Sequence, residues 1–181
     1  MFICISLVDE RSKNTKDTEV IFMQMKTGVE QSVYAILLLN MLPDKAVLPG
    51  EAISQQLGTS PTYFQKLLRK LVSADLITSV AGVKGGFKLK KKPEEIRIYD
   101  VYLAIEGQQS LYSPSGILDD MLELEKEDRC CLLTDLMDEA ESTWRTVLKR
   151  ETIASLDEET ANRFPGKVED LKEWINRKMV L

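Results

Sequence analysis

Apolar residues recur along this chain with two different periods, and the changes between them mark its elements. Phe64, Leu67, Leu68, Leu71 and Val72 fall at i, i+3, i+4, i+7 and i+8, one stripe of a helix over 60–74. Ser60 is a suitable N-cap, and Pro61 follows at the first helical position, where a missing N–H costs nothing. Just upstream, Ala52, Ile53 and Leu57 form the inner side of a shorter helix over 49–57, and Gly58 suits the turn between the two. Val33, Ile36, Leu37, Leu39 and Met41 predict a buried helix over 29–42, ended by Pro43-Asp44. Then the period shortens. Ile77–Val80 and Phe87–Lys90 alternate around a glycine-bearing turn, so a hairpin is expected with Val80, Phe87 and Leu89 inward and Thr78, Lys88 and Lys90 outward.

Helical spacing then returns. Ile98, Val101, Tyr102 and Ile105 share one face of a helix over 98–106, which Gly107 closes. Residues 107–116 read as a linker. Over 131–153, Leu133, Met137, Ala140, Trp144 and Val147 recur at alternating threes and fours, the seam of one long helix that needs a partner. The obvious partner is the same helix of a second copy. Val168, Leu171, Trp174, Ile175 and Met179 mark an amphipathic C-terminal helix that caps such a dimer or closes the core.

The expected fold is mainly α with a small β-hairpin: a winged helix-turn-helix followed by a long dimerisation helix. Its expected parts are an extension or flexible arm over 1–24 (a strand over 2–8 is the alternative), a winged unit over 25–107, a linker and long helix over 108–156, and the terminal helix over 157–181.

Charge sharpens this picture. The chain carries a formal net charge of −5, yet 61–92 holds eight cations and one acid, Asp75. The outer side of the 60–74 helix bears Thr62, Tyr63, Gln65, Lys66, Arg69 and Lys70, and the turn region adds Lys84, Gly85, Gly86 and Lys88. Hydroxyl and amide groups can read base edges, cations can displace counterions from phosphates, and glycines permit close approach to a backbone. Double-stranded DNA is therefore the expected partner. Residues 107–181 hold 17 acids and 10 cations, so that half should face away from DNA.

Other classes fare worse. The chain has no histidine, which removes the commonest general base and metal ligand, so no enzyme activity is expected. Carboxylates of the C-terminal half read as a solvated helix face. A winged helix that binds protein instead of DNA would favour apolar faces where this chain has charged ones. No apolar run is long enough for a membrane span, no signal-peptide pattern opens the chain, and three cysteines make no disulfide framework, which together point to the cytoplasm.

Several motifs in register resemble a known family. Ser60-Pro61-Thr62-Tyr63, the Leu67–Leu71 run, Ala74-Asp75-Leu76-Ile77, Gly85-Gly86-Phe87-Lys88-Leu89, Pro93-Glu94-Glu95-Ile96, Tyr99-Asp100-Val101 and Ala104-Ile105-Glu106-Gly107 are similar to the Rrf-two family of bacterial winged-helix regulators. That family includes the iron–sulfur-cluster regulator, the nitric-oxide-sensitive repressor and the cysteine-metabolism repressor. The match spans about 25–156, and Met25-Lys26 resembles the usual start. The resemblance implies a homodimer, most often a repressor, on a partly palindromic operator. It implies that Ser60, Thr62, Tyr63, Gln65 and Lys66 read bases in the major groove and that the wing, about 77–90, enters the minor groove.

Two departures accompany the resemblance. Ala81 stands where many members have arginine, and Val83-Lys84-Gly85-Gly86 stands where they have Pro-Gly-Gly-Gly, leaving Lys84 as the candidate minor-groove cation. Cluster-binding members use three spaced cysteines; Cys131 matches the last, while the first two have no counterpart among Gln108, Ser110, Tyr112 and Ser115. No cofactor or metal is therefore expected, an iron–sulfur cluster included. Cys130 and Cys131, near a helix N-terminus with Arg129 alongside, form a candidate redox pair. The plainer alternative is a core Cys131 with an incidental Cys130. A protein partner or small-molecule effector stays open.

Overall fold

The computed structural model describes residues 25–82, 84–108, 110–125 and 131–181. The extension over 1–24, its candidate strand and Cys130 lie outside these residues. The helices are α1 (Thr27–Asn40), α2 (Gly50–Gln56), α3 (Pro61–Ser73), α4 (Ile98–Glu106), α5 (Ile117–Met121), α6 (Leu132–Arg150), α7 (Ile153–Arg163) and α8 (Pro165–Lys178). Two antiparallel strands, β1 (Ile77–Val80) and β2 (Gly86–Leu89), form the wing.

One apolar core fixes the winged unit. Val29, Val33, Ile36 and Leu37 of α1, Ile53 of α2, Phe64, Leu67, Leu68 and Leu71 of α3, and Val101 and Ile105 of α4 are buried together. Gly58 takes a left-handed φ of 63° between α2 and α3, a conformation a side chain would strain. Ser60 is extended before α3 but makes no side-chain cap bond; Pro61 occupies the first turn.

The wing corrects one expectation. Register pairs Ile77 with Leu89 and Ser79 with Phe87. Cross-strand partners share a face, so Val80 lies on the opposite side to Ile77's partner set, and it is 40% exposed. Alternation counted from Ile77, instead of from Val80, gives the right parity.

A third extended piece completes the wing root. Leu48 exchanges backbone hydrogen bonds with Phe87, at 3.0 and 2.9 Å, and Val47 exchanges two at 2.9 Å with Val180. Gly86 is buried here. A Cβ at Gly86 would lie 2.6 Å from the Leu48 carbonyl oxygen and 2.8 Å from its carbon, both backbone atoms that cannot swing aside. Gly86→Ala should cost about 1–3 kcal/mol by overpacking. In a thermal melt that is a Tm lower by roughly 2–4 °C per kcal/mol. An unchanged melt would show that the Leu48–Phe87 junction is looser than described.

The long helix expected over 131–153 is α6, which ends at Arg150, and a separate helix, α7, starts at Ile153. Residues 151 and 152 leave the helix because their backbone pairs with the chain entering α4: Ile98 N donates to Glu151 O at 3.0 Å and Ile153 N donates to Ile96 O at 2.9 Å. Thr152 and Ser155 form a reciprocal capping box that starts α7. Ile153 is then fully buried. The C-terminal helix closes the core: Ile175 of α8 belongs to the main apolar cluster.

Candidate nucleic-acid interface

The periodicity of α3 sorts its polar residues into two groups. Thr62, Gln65, Lys66 and Arg69 lie opposite the buried Phe64, Leu68 and Leu71, and all four are exposed. Lys66 and Arg69 form no salt bridge among the described residues, and neither do Lys84 and Lys88 of the wing. Charges without intramolecular partners keep their field for an external anion. Ser60 and Lys84 are exposed, Gly85 and Lys88 half-buried. The Gly85 N–H closes the wing turn onto Gly82 O at 2.9 Å.

Tyr63 and Lys70, seven residues apart, lie on the flank of α3 that meets α1 and α4. Tyr63 Oη presses on Gly28 at the start of α1, where an added Cβ would come within 2.7 Å of it. Lys70 Nζ donates to the Ile105 carbonyl at 2.5 Å, on the last turn of α4. These two residues, grouped by sequence with the DNA-facing side, thus have intramolecular contacts; Tyr63 remains 44% exposed. Gln65 likewise approaches Gly50 of α2 through its amide. Asp75, the lone acid of 61–92, is held by Lys90 at 2.7 Å, and that hydrogen bond lowers its carboxyl below the usual range. Lys90 is therefore a neutralised cation, a role sequence counting could not assign.

On α6, Leu133, Ala140 and Val147 of the expected seam are exposed, and Leu136 joins them. Met137 is half-buried. Trp144 differs from the expectation. Its ring packs edge-on against Tyr102 of α4, with centroids 4.7 Å apart, and against Tyr99 at 6.5 Å. It lies on the flank of α6 turned toward α4, so its apolar surface is used within its own chain. Sequence reasoning missed Glu141 on that flank. It is 6% exposed and accepts from Ser110 Oγ at 3.3 Å and Leu111 N at 3.2 Å, and it pairs with Arg145. Its place three residues before Trp144, on the same side of a helix, was the available signal.

The chain's cysteines are Cys4, Cys130 and Cys131, and only Cys131 lies among the described residues. In the stretch that offers Gln108, Ser110, Tyr112 and Ser115 where cluster-binding members have their first two cysteines, Ser110 donates to Tyr112 O and to Glu141, and the Tyr112 hydroxyl lies 3.1 Å from Cys131 Sγ. Among the described residues no group of three or more His, Cys, Asp or Glu side chains is gathered for a metal.

A helix-turn-helix with a paired hairpin and an unpaired cationic face defines a winged-helix DNA-binding protein. The family model for Rrf2, described as an iron-dependent transcriptional regulator, matches residues 25–159. The chain belongs to the Rrf2 (Rrf-two) family of helix-turn-helix transcriptional regulators, which are bacterial, DNA-binding and non-enzymatic. It is 40% identical over 153 residues to YwgB of Bacillus subtilis (strain 168), named among the HTH-type transcriptional regulators; the alignment covers 84% of this chain and 95% of that protein. The fold is shared with T. potens IscR (TM-score 0.57, 20% identity, 78% of this chain and 91% of that one). It is shared equally with CymR (YrzC), the global cysteine regulator of B. subtilis (TM-score 0.56, 24% identity, 77% and 99%). No helix among the described residues is long and apolar enough to cross a membrane.

Proposed function

We propose that the chain works in the cytoplasm as a homodimeric repressor on a partly palindromic operator, with α3 in the major groove and the β1–β2 wing in the minor groove. Thr62, Gln65 and Lys66 read bases, with Ser60 beside them; Arg69, Lys84 and Lys88 hold phosphates, and Gly85 lets the wing approach, while Gly86, expected on the DNA-facing side, is buried against Leu48. Tyr63 and Lys70 set the seat of α3 on α1 and α4. The observation that carries this reading is the face of Thr62, Gln65, Lys66 and Arg69, exposed and without ion pairs among the described residues. The second copy docks through Leu133, Leu136, Ala140 and Val147, an unpartnered apolar seam on α6. Regulation proceeds without an iron–sulfur cluster, since the donor set lacks two thiolates.

The test is binding to the chain's own promoter DNA as a function of salt. A dimer making 6–10 phosphate contacts should lose about 10³–10⁵ in affinity between 50 and 200 mM salt. A flat salt response would overturn the reading. Leu136→Asp with Val147→Asp should sediment as a folded monomer and lose cooperative operator binding; a dimer would place the interface elsewhere.

A further inference from the structure

We propose that the cavity between α5 and the first turn of α6 binds a neutral, apolar α,β-unsaturated carbonyl compound, which adds to Cys131 and releases operator DNA. Only the last step rests on the DNA-binding reading.

The cavity is about 370 Å³, within the range of small-molecule sites, about 300–1,000 Å³. Ile117, Leu118, Met121 and Leu133 supply its apolar wall, and among the described residues no Lys, Arg, Asp or Glu lines it. A charged ligand would shed water against that apolar wall. Its polar contribution includes the Cys131 thiol and the Tyr112 hydroxyl, 3.1 Å apart. The hydrogen bond from Tyr112, followed by that from Thr134, holds the thiol below its ordinary range, while the same contact pushes the Tyr112 phenol up. Either group can donate in this contact; with the phenol donating, the sulfur is a nucleophile facing apolar space.

Addition needs no oxidant. The sulfur lone pair forms a bond to the β-carbon, the C=C π pair moves toward the carbonyl as an enolate, and the α-carbon takes up the proton that left the thiol, relayed by Tyr112 or water. An adduct occupies the space beside the Tyr112 ring. Tyr112 belongs to the segment that Glu141 holds through Ser110 and Leu111, which starts four residues beyond the end of α4 at Glu106. The last turn of α4 in turn receives Lys70 of α3. Pushing Tyr112 therefore loads the seat of the recognition helix.

The experiment uses the full chain carrying Cys4→Ser and Cys130→Ser. Its alkylation by N-phenylmaleimide and by anionic iodoacetate is followed by intact mass, with N-acetylcysteine as reference. The maleimide-to-iodoacetate rate ratio should exceed that of N-acetylcysteine by about tenfold or more, the selectivity an apolar pocket gives. The pH midpoint of the reaction should lie below that of N-acetylcysteine and return toward it in Tyr112→Phe. Met121→Asp should lower the maleimide rate alone. The adduct should then bind promoter DNA at least about tenfold more weakly than unmodified protein, a modest allosteric coupling. A ratio and midpoint equal to those of N-acetylcysteine overturn the site. Unchanged DNA binding by the adduct overturns the release step. Failure of the unmodified protein to bind DNA overturns the function reading and the release step, while the alkylation data still judge the site.

Discussion

Reversing one charge on the outer side of α3 should nearly abolish operator binding while leaving the fold intact. Lys66 and Arg69 are exposed and form no ion pair among the described residues, so Lys66→Glu or Arg69→Glu breaks no ion pair there. In the proposed complex each replaces a phosphate-facing cation by an anion, twice per proposed dimer. A loss of at least about 100-fold is expected, with the salt slope shallower by roughly two in log–log units. Gel shifts on promoter DNA check the first, and titrations at several salt concentrations check the second. Thermal melts should coincide with the parent. Variants that bind as tightly as the parent would place the interface on another face.

The opposite side of the same helix should show the converse result. Phe64 is fully buried among α1, α2, α3 and the wing root, and it is the largest side chain with no exposure. Phe64→Ala removes a ring and leaves a cavity, at a cost of about 3–5 kcal/mol. Domains of this size have about 5–15 kcal/mol in total. The Tm should fall by roughly 2–4 °C per kcal/mol lost, read by circular dichroism. DNA binding should follow the folded fraction, recovering at low temperature. A small shift in Tm would mean that the surrounding Leu67, Leu68 and Leu71 close over the gap.

The winged unit was legible because its signals agree. The Phe64–Val72 stripe, Pro61 at the helix start and Gly107 at the end of α4 each fix a boundary, and the expected ranges differ from the observed ones by a residue or two. What escaped was non-local. The 131–153 stripe continues in sequence across Glu151 and Thr152, but their backbone pairs with Arg97 and its neighbours, fifty residues away. The Thr152–Ser155 box lacks the acid that usually advertises such a start. Trp144 met the spacing of an outer seam yet turned to Tyr99 and Tyr102, because helical spacing gives a stripe but not which partner covers each edge. Lys70 and Lys90 counted as DNA-facing cations until Ile105 O and Asp75 were found beside them. For the thiols, sequence marked Cys131 but had no way to bring Tyr112 to it.

The two residues Val47 and Leu48 bind the wing on one side and the last turn of the chain on the other. They also lead directly into α2. Reading head, wing and tail are therefore hinged on one short splice, and none of the three can tilt without dragging the other two. The residues that follow α8 thus have their own backbone connection to the wing, separate from the route through α6.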